Sequence, residues 1–243
     1  MSLNISGILI DSLPNLECNF QSQDYEIKKI SELSPKNLSI TFINNATLIL
    51  MDNIFFKNVN EESELTDLEK DISKLFPKSN IWIFVLNDTI DFMGFCRLQN
   101  EIKLRSKFVG QGRPFLDFGE LHPIEQKLYN DYSEILFEDK KIKQIFDEKF
   151  ESIESSEVKK QFLIFRDNIL ANRNIENNFP YLSGKMEFFY IDYIIEKILN
   201  KKIIELLEIE FVSFNKFNFK FNKESLKDYL LTAINSNNQR NIR

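Results

Sequence analysis

Residues 80–109 read NIWIFVLNDTIDFMGFCRLQNEIKLRSKFV, and this stretch decides the fold class. It holds three apolar runs, 80–88, 90–98 and 101–109, separated by short polar breaks at Asp88 and at Gln99-Asn100. Runs of this length, rich in Ile, Val and Phe and bounded by turn residues, read as strands. Breaks this short can join only antiparallel neighbours, because a parallel crossover needs a dozen residues or more. With the turn at Gln99-Asn100, Ile102 and Leu104 share the face of Met93 and Phe95. The expectation is an antiparallel meander.

Towards the N-terminus, residues 3–10 read as a buried strand. Residues 38–44 and 46–52 read as two strands around Asn44-Asn45, a dipeptide suited to a tight hairpin. Tyr25 to Leu33 reads as a short helix stopped by Pro35. Leu65, Leu68, Ile72 and Leu75 recur at helical spacing, with Glu61, Glu62 and Glu64 as an acidic first turn and Pro77 as the stop.

Towards the C-terminus the period becomes helical. Pro123 suits a first helical position, followed by the stripe Ile124, Leu128, Tyr132 and Ile135. Two more stripes follow: Ile142, Ile145 and Phe146, then Val158, Phe162, Phe165 and Ile169. Residues 186–199 are apolar almost all round, which reads as a central buried helix. Over 209–221 the period returns to two, with Phe217, Phe219 and Phe221 alternating with polar residues. Leu226, Tyr229, Leu230, Ala233 and Ile234 mark a last amphipathic helix. The expected architecture is α+β: an N-terminal, largely antiparallel sheet of five or six strands, a mostly helical C-terminal half, and one late strand. Residues 1–243 read as a single domain, with a subdivision near 115–122 as the alternative, although no flexible spacer there supports two independent domains.

The chain has 243 residues, enough to bury a core without disulfide or metal, and a formal charge of −6. That sign disfavours nucleic acid, whose binding rests on phosphate neutralisation, and anionic membrane surfaces. Cys18 and Cys96 are too far apart in sequence for a metal or redox motif. No secretory pattern and no membrane-length apolar run is visible, so a cytoplasmic location is expected. Phe, with 24 residues, is mainly a core residue.

Short motifs carry little chemistry. Asp117-Phe-Gly matches the magnesium triplet of protein kinases, but the upstream catalytic and Gly-rich loops are missing. Gly110-Gln-Gly112 leads to Arg113-Pro114, not to a helix N-terminus that could hold a phosphate. Ser156 and Lys159 have a Ser-x-x-Lys spacing without its companion motifs. His122 is the only histidine. With Asp117, Glu120 and Glu125 it forms a polar cluster, read either as an acid–base or one-His metal site or as a turn opening a helix. No metal and no cofactor is expected, because soft ligands are scarce. Arg97, Lys103, Arg105, Lys107 and Arg113 face a single acid, Glu101. This basic hairpin reads either as internally paired or as an anion site built on Arg97, Arg105 and Arg113.

Two blocks carry a resemblance. Asp91-Phe-Met-Gly-Phe followed by a hairpin and Asp117-Phe-Gly-Glu-Leu-His-Pro-Ile-Glu125, and later Ser183-Gly-Lys-Met-Glu-Phe-Phe189, resemble a bacterial domain-of-unknown-function family. The resemblance covers about a third of the chain. It implies a bacterial cytosolic protein in which Asp117, Gly119, Pro123 and Glu125 form a shared structural turn, and it brings no catalytic assignment.

Two functional readings follow. One is a non-enzymatic binding or interaction protein, with a protein or a small anion as its partner. The other is an enzyme or ligand-binding protein for a small anionic substrate, using residues 97–113 and the acidic turn after them.

Overall fold

Nine strands form one sheet. They are β1 (Asn4–Ile10), β2 (Glu26–Lys29), β3 (Leu38–Ile43), β4 (Ala46–Leu50), β5 (Asn80–Asn87), β6 (Phe92–Gln99), β7 (Ile102–Gly110), β8 (Arg113–Gly119) and β9 (Glu210–Phe214). Their spatial order is β2-β9-β3-β4-β1-β5-β6-β7-β8, and every pairing is antiparallel. Among the described residues, the helices whose bounds are fixed are α1 (Asp67–Leu75), α2 (Ile175–Leu199) and α3 (Lys223–Arg240). The computed structural model describes residues 4–16, 23–33, 37–51, 64–87, 89–90, 92–110, 113–128, 156, 159–160, 175–214 and 223–240.

This corrects the expected architecture. The sheet is not an N-terminal unit of five or six strands joined to a mostly helical half. It has nine strands, and β9 from the C-terminal half is inserted between β2 and β3. The extra strands are those with weak sequence periods. Residues 25–33, read as a helix, form β2 and a single 3-10 turn, Ile30–Glu32. Residues 113–119, which carry Pro114, Asp117 and Gly119, pair with β7 as β8. The helical stripes over 132–146 and 162–169 and the alternation of Phe217, Phe219 and Phe221 lie outside the described residues.

The two sheet faces bury separate cores. On one face Ile8, Ile40, Ile83 and Cys96 pack with Leu68 and Ile72 of α1 and Leu226 and Leu230 of α3. On the other, Leu9, Leu48, Trp82, Phe84 and Phe95 pack under Tyr190, Ile191, Ile194 and Ile195 of α2. A sheet buried on both faces gives strands that are apolar throughout, as in β5. The α2 helix is one-sided rather than buried all round: Phe189 and Tyr193 are exposed.

Turn chemistry sets the registers. Asn44 (φ 49°) and Asn45 (φ 63°) form a two-residue left-handed turn between β3 and β4, which asparagine tolerates better than most residues. The β6–β7 turn uses Asn100 (φ 52°) and Glu101 (φ 59°), so Gln99 pairs with Ile102 and the turn falls one residue later than the sequence suggests. The register then shifts between Arg97 and Leu98: Leu98 faces Lys103, Arg97 faces Arg105, and Leu104 is the extra residue. A bulge re-aims the side chains beyond it. Here it places Arg105 and Lys107, not Leu104, on the α2 face beside Arg97 and Phe95.

The start of α1 is a capping box. Thr66 accepts from the Glu69 N–H at 3.3 Å, and the Glu69 carboxylate accepts from the Thr66 N–H at 2.7 Å. Thr66→Ala is expected to cost about 1 kcal/mol, read as a lower melting temperature. An unchanged melting temperature would remove this cap from the account of α1.

Candidate functional site

Strand β7 carries three cations, and all three point inward. Lys103, Arg105 and Lys107 are buried, and each meets a carboxylate from a different element. Buried charges of this kind are tolerated only when paired and hydrogen-bonded.

Lys103, on the α1 face, bonds Glu69 at 3.1 Å and donates to the Glu64 carbonyl at 2.9 Å. Cys96 lies beside this pair and donates to Glu69 at 3.2 Å. Burial, reinforced by the Glu69 charge, pushes its thiol well up, so it is a poor nucleophile.

On the α2 face, Arg105 uses its whole fork. Its Nε donates to the two oxygens of Glu125 at 3.0 and 3.3 Å, and its Nη2 donates to Glu125 Oε1 at 2.6 Å. Its Nη1 donates to Asp117 and to the Phe118 carbonyl at 2.9 Å. Burial alone would lower the guanidinium pKa; the bonds from Glu125 and Asp117 outweigh it and raise it. Glu125 sits in a helical turn at 123–128 and also accepts from the His122 N–H at 3.3 Å, so one carboxylate caps that turn and holds the sheet. Lys107 bonds Glu187 of α2 at 3.0 Å and approaches Asp117 at 4.0 Å. Burial pushes Glu187 up to about 7 despite the opposing Lys107 charge, and its Oε2 has no partner.

Gly119 ends β8 at φ 85°, and a Cβ there would lie 2.1 Å from the Leu104 carbonyl oxygen. Only glycine fits such a position. It lets the chain turn so that Asp117 and Glu125 reach Arg105 from two sides.

Arg97, on β6, is arranged differently. It is half-buried and lies 6.0 Å above the Trp82 ring, with Nη2 donating to Asn80 at 3.0 Å. Its Nε is buried and has no partner. Trp82 donates to the Tyr190 hydroxyl at 3.3 Å, and Tyr190 stacks on Phe95 at 4.2 Å. Burial pushes Tyr190 up to about 12. His122 meets the Tyr190 ring edge-on at 5.7 Å. Burial lowers the His122 pKa, and the Arg97 charge lowers it further. Its Nδ1 is also buried without a partner.

The sequence-based candidates therefore separate. Arg97 and Arg105 stand directly opposite each other, but Arg105 is fully engaged internally. Arg113 begins β8 opposite Gly110, and its side chain lies outside the described residues. Asp117 and Glu125 share Arg105, Glu120 is exposed, and His122 faces Tyr190. Among the described residues, no three His, Cys, Asp or Glu side chains are placed to hold a metal ion, and no helix is long and apolar enough to cross a membrane.

Sequence reasoning did not single out Glu69, Glu187, Trp82 or Tyr190. Glu187 left one signal: an acid at the start of the largely apolar run 186–199, which also holds Asp192 and Glu196. No protein-family model, no curated protein and no solved structure matches the chain.

Proposed function

We propose that the chain is a non-enzymatic binding protein whose basic hairpin is mainly scaffold. The supporting observation is the saturation of Arg105 by Glu125 and Asp117. Proton transfer needs a group free to exchange with a substrate. Two of the acidic candidates are committed to one buried guanidinium, and Glu120 stands in solvent. Lys103 and Lys107 are likewise neutralised from within the protein.

The test is a turnover survey with chromogenic phosphate, carboxylate and glycoside esters, using the wild type and Asp117→Asn. The expected result is no turnover above background for either protein. Turnover by the wild type that Asp117→Asn abolishes, with the melting temperature retained, would replace this reading with an enzymatic one.

A further inference from the structure

We propose that Arg97 and His122 form a receptor point for a small oxyanion, a carboxylate or phosphate group, beside Trp82 and Tyr190. The proposal rests on the binding-protein reading and names what would be bound.

Three observations converge on these two side chains. First, Arg97 has no carboxylate partner among the described residues, whereas Lys103, Arg105 and Lys107 each have one. Second, Arg97 lies directly across from Arg105 on the neighbouring strand. Both carboxylates nearest Arg105 already serve it, so Arg97 takes no counter-charge from that pair. Third, Arg97 Nε and His122 Nδ1 are buried nitrogens without partners. Buried polar nitrogens are almost always satisfied, so two orphans on side chains that both border the Trp82–Tyr190 pair call for an explanation.

The chemistry favours oxygen anions. A guanidinium binds carboxylate and phosphate oxygens through paired N–H bonds. A neutral imidazole can donate one further bond from Nδ1, and a protonated one adds charge. The neighbouring Glu125 does not block an anion, because Arg105 neutralises it. Trp82 and Tyr190 beside these two side chains are buried, and a small anionic group is the guest that fits this reading. Glu120 and Leu121, the two residues before His122, are exposed. The two nitrogens are shut from bulk water as the side chains lie, so binding requires the half-buried imidazole to move.

The chain contains its own reporters. His122 is the only histidine and Trp82 the only tryptophan, so one imidazole NMR signal and one fluorescence signal both report on this spot. Inorganic phosphate and acetate are titrated against tag-free protein, with chloride at matched ionic strength as control. The expected result is a saturable shift of both signals with at least one of the two anions, a raised His122 pKa in its presence, and no such change with chloride. Arg97→Gln is expected to weaken that binding about tenfold or more, since one charge-assisted hydrogen bond is enough for such a loss.

Signals that respond to phosphate and acetate no more than to chloride would overturn the proposal. So would undiminished binding in a folded Arg97→Gln variant. If that variant does not fold, His122→Asn read through Trp82 fluorescence decides by the same criterion. Failure here is distinct from failure of the binding-protein reading: the first is absence of binding, the second is turnover of an ester.

Discussion

Replacing Arg105 with methionine is expected to destabilise the protein by about 3–5 kcal/mol, read by urea unfolding near neutral pH. Methionine nearly matches the length of the arginine stem but supplies neither charge nor donor. It leaves Glu125, itself buried, without its cation, and an unpaired buried carboxylate carries most of the cost. Asp117 contributes less, because half of its side chain is already in solvent. Arg105→Lys is expected to fall between wild type and Arg105→Met, since an ammonium cannot bond both Glu125 oxygens and Asp117 in the same plane. The double variant R105M/E125L should regain most of the loss, because an apolar pair of similar volume removes the orphan charge. A loss under about 1 kcal/mol in Arg105→Met would mean that the buried network contributes little and that Arg105 is held for another purpose.

The same logic explains why β7 is basic at all. Its three cations dock three different elements: Lys103 receives Glu69 of α1, Arg105 receives Glu125 of the turn at 123–128, and Lys107 receives Glu187 of α2. Apolar packing is non-directional. Ion pairs with fixed geometry add a constraint on which carboxylate sits over which position. The bulge at Leu104 makes this two-sided, sending Lys103 to one face and Arg105 and Lys107 to the other.

Some of this was legible in the sequence. The β5–β7 meander shows as three apolar runs with breaks too short for anything but hairpins, and Asn44-Asn45 marks a turn whose conformation few other residues tolerate. The full sheet was not legible. Strand β2 is four residues of Glu, Ile and Lys, too short and too charged to show a period. Strand β8 carries a proline and a register shift near Phe108 and Val109 that breaks its alternation. The alternating Lys103, Arg105 and Lys107 left internal pairing and an anion site both open, and internal pairing is what Lys103 makes with Glu69. Nothing local to them announces that Glu69, Glu125 and Glu187 come from elsewhere to meet them, because such partners are fixed by tertiary structure. The candidate site shows the same divide: His122 and Arg97 stand out by rarity and by charge, but the aromatic pair Trp82–Tyr190 between them joins residues 108 positions apart.

Glu187 makes stability pH-dependent in an unusual direction. Its folded pKa, about 7, lies above its ordinary value of 4.5, so between those two values the folded protein holds a proton that the unfolded chain has released. The favourable contribution is therefore fully present below about pH 4.5 and is lost as pH rises through about 7. A shift of this size corresponds to about 3 kcal/mol. Lys107 does not prevent it, although it lies 3.0 Å away, because burial of the carboxylate outweighs one ion pair, and Glu125 adds a repelling charge. When Glu187 takes up a proton, Lys107 still has Asp117 within 4.0 Å. His122 works in the opposite sense, since its lowered pKa removes stability as pH falls. The two effects are separated by comparing the wild type with Glu187→Gln, in which only the first is deleted. Unfolding free energies at about pH 5 and about pH 8 should show the variant gaining on the wild type by up to about 3 kcal/mol at the higher pH. A difference between the two proteins that stays constant across that range would show that Glu187 is ionised throughout, and that the Lys107 pair is strong enough to overcome its burial.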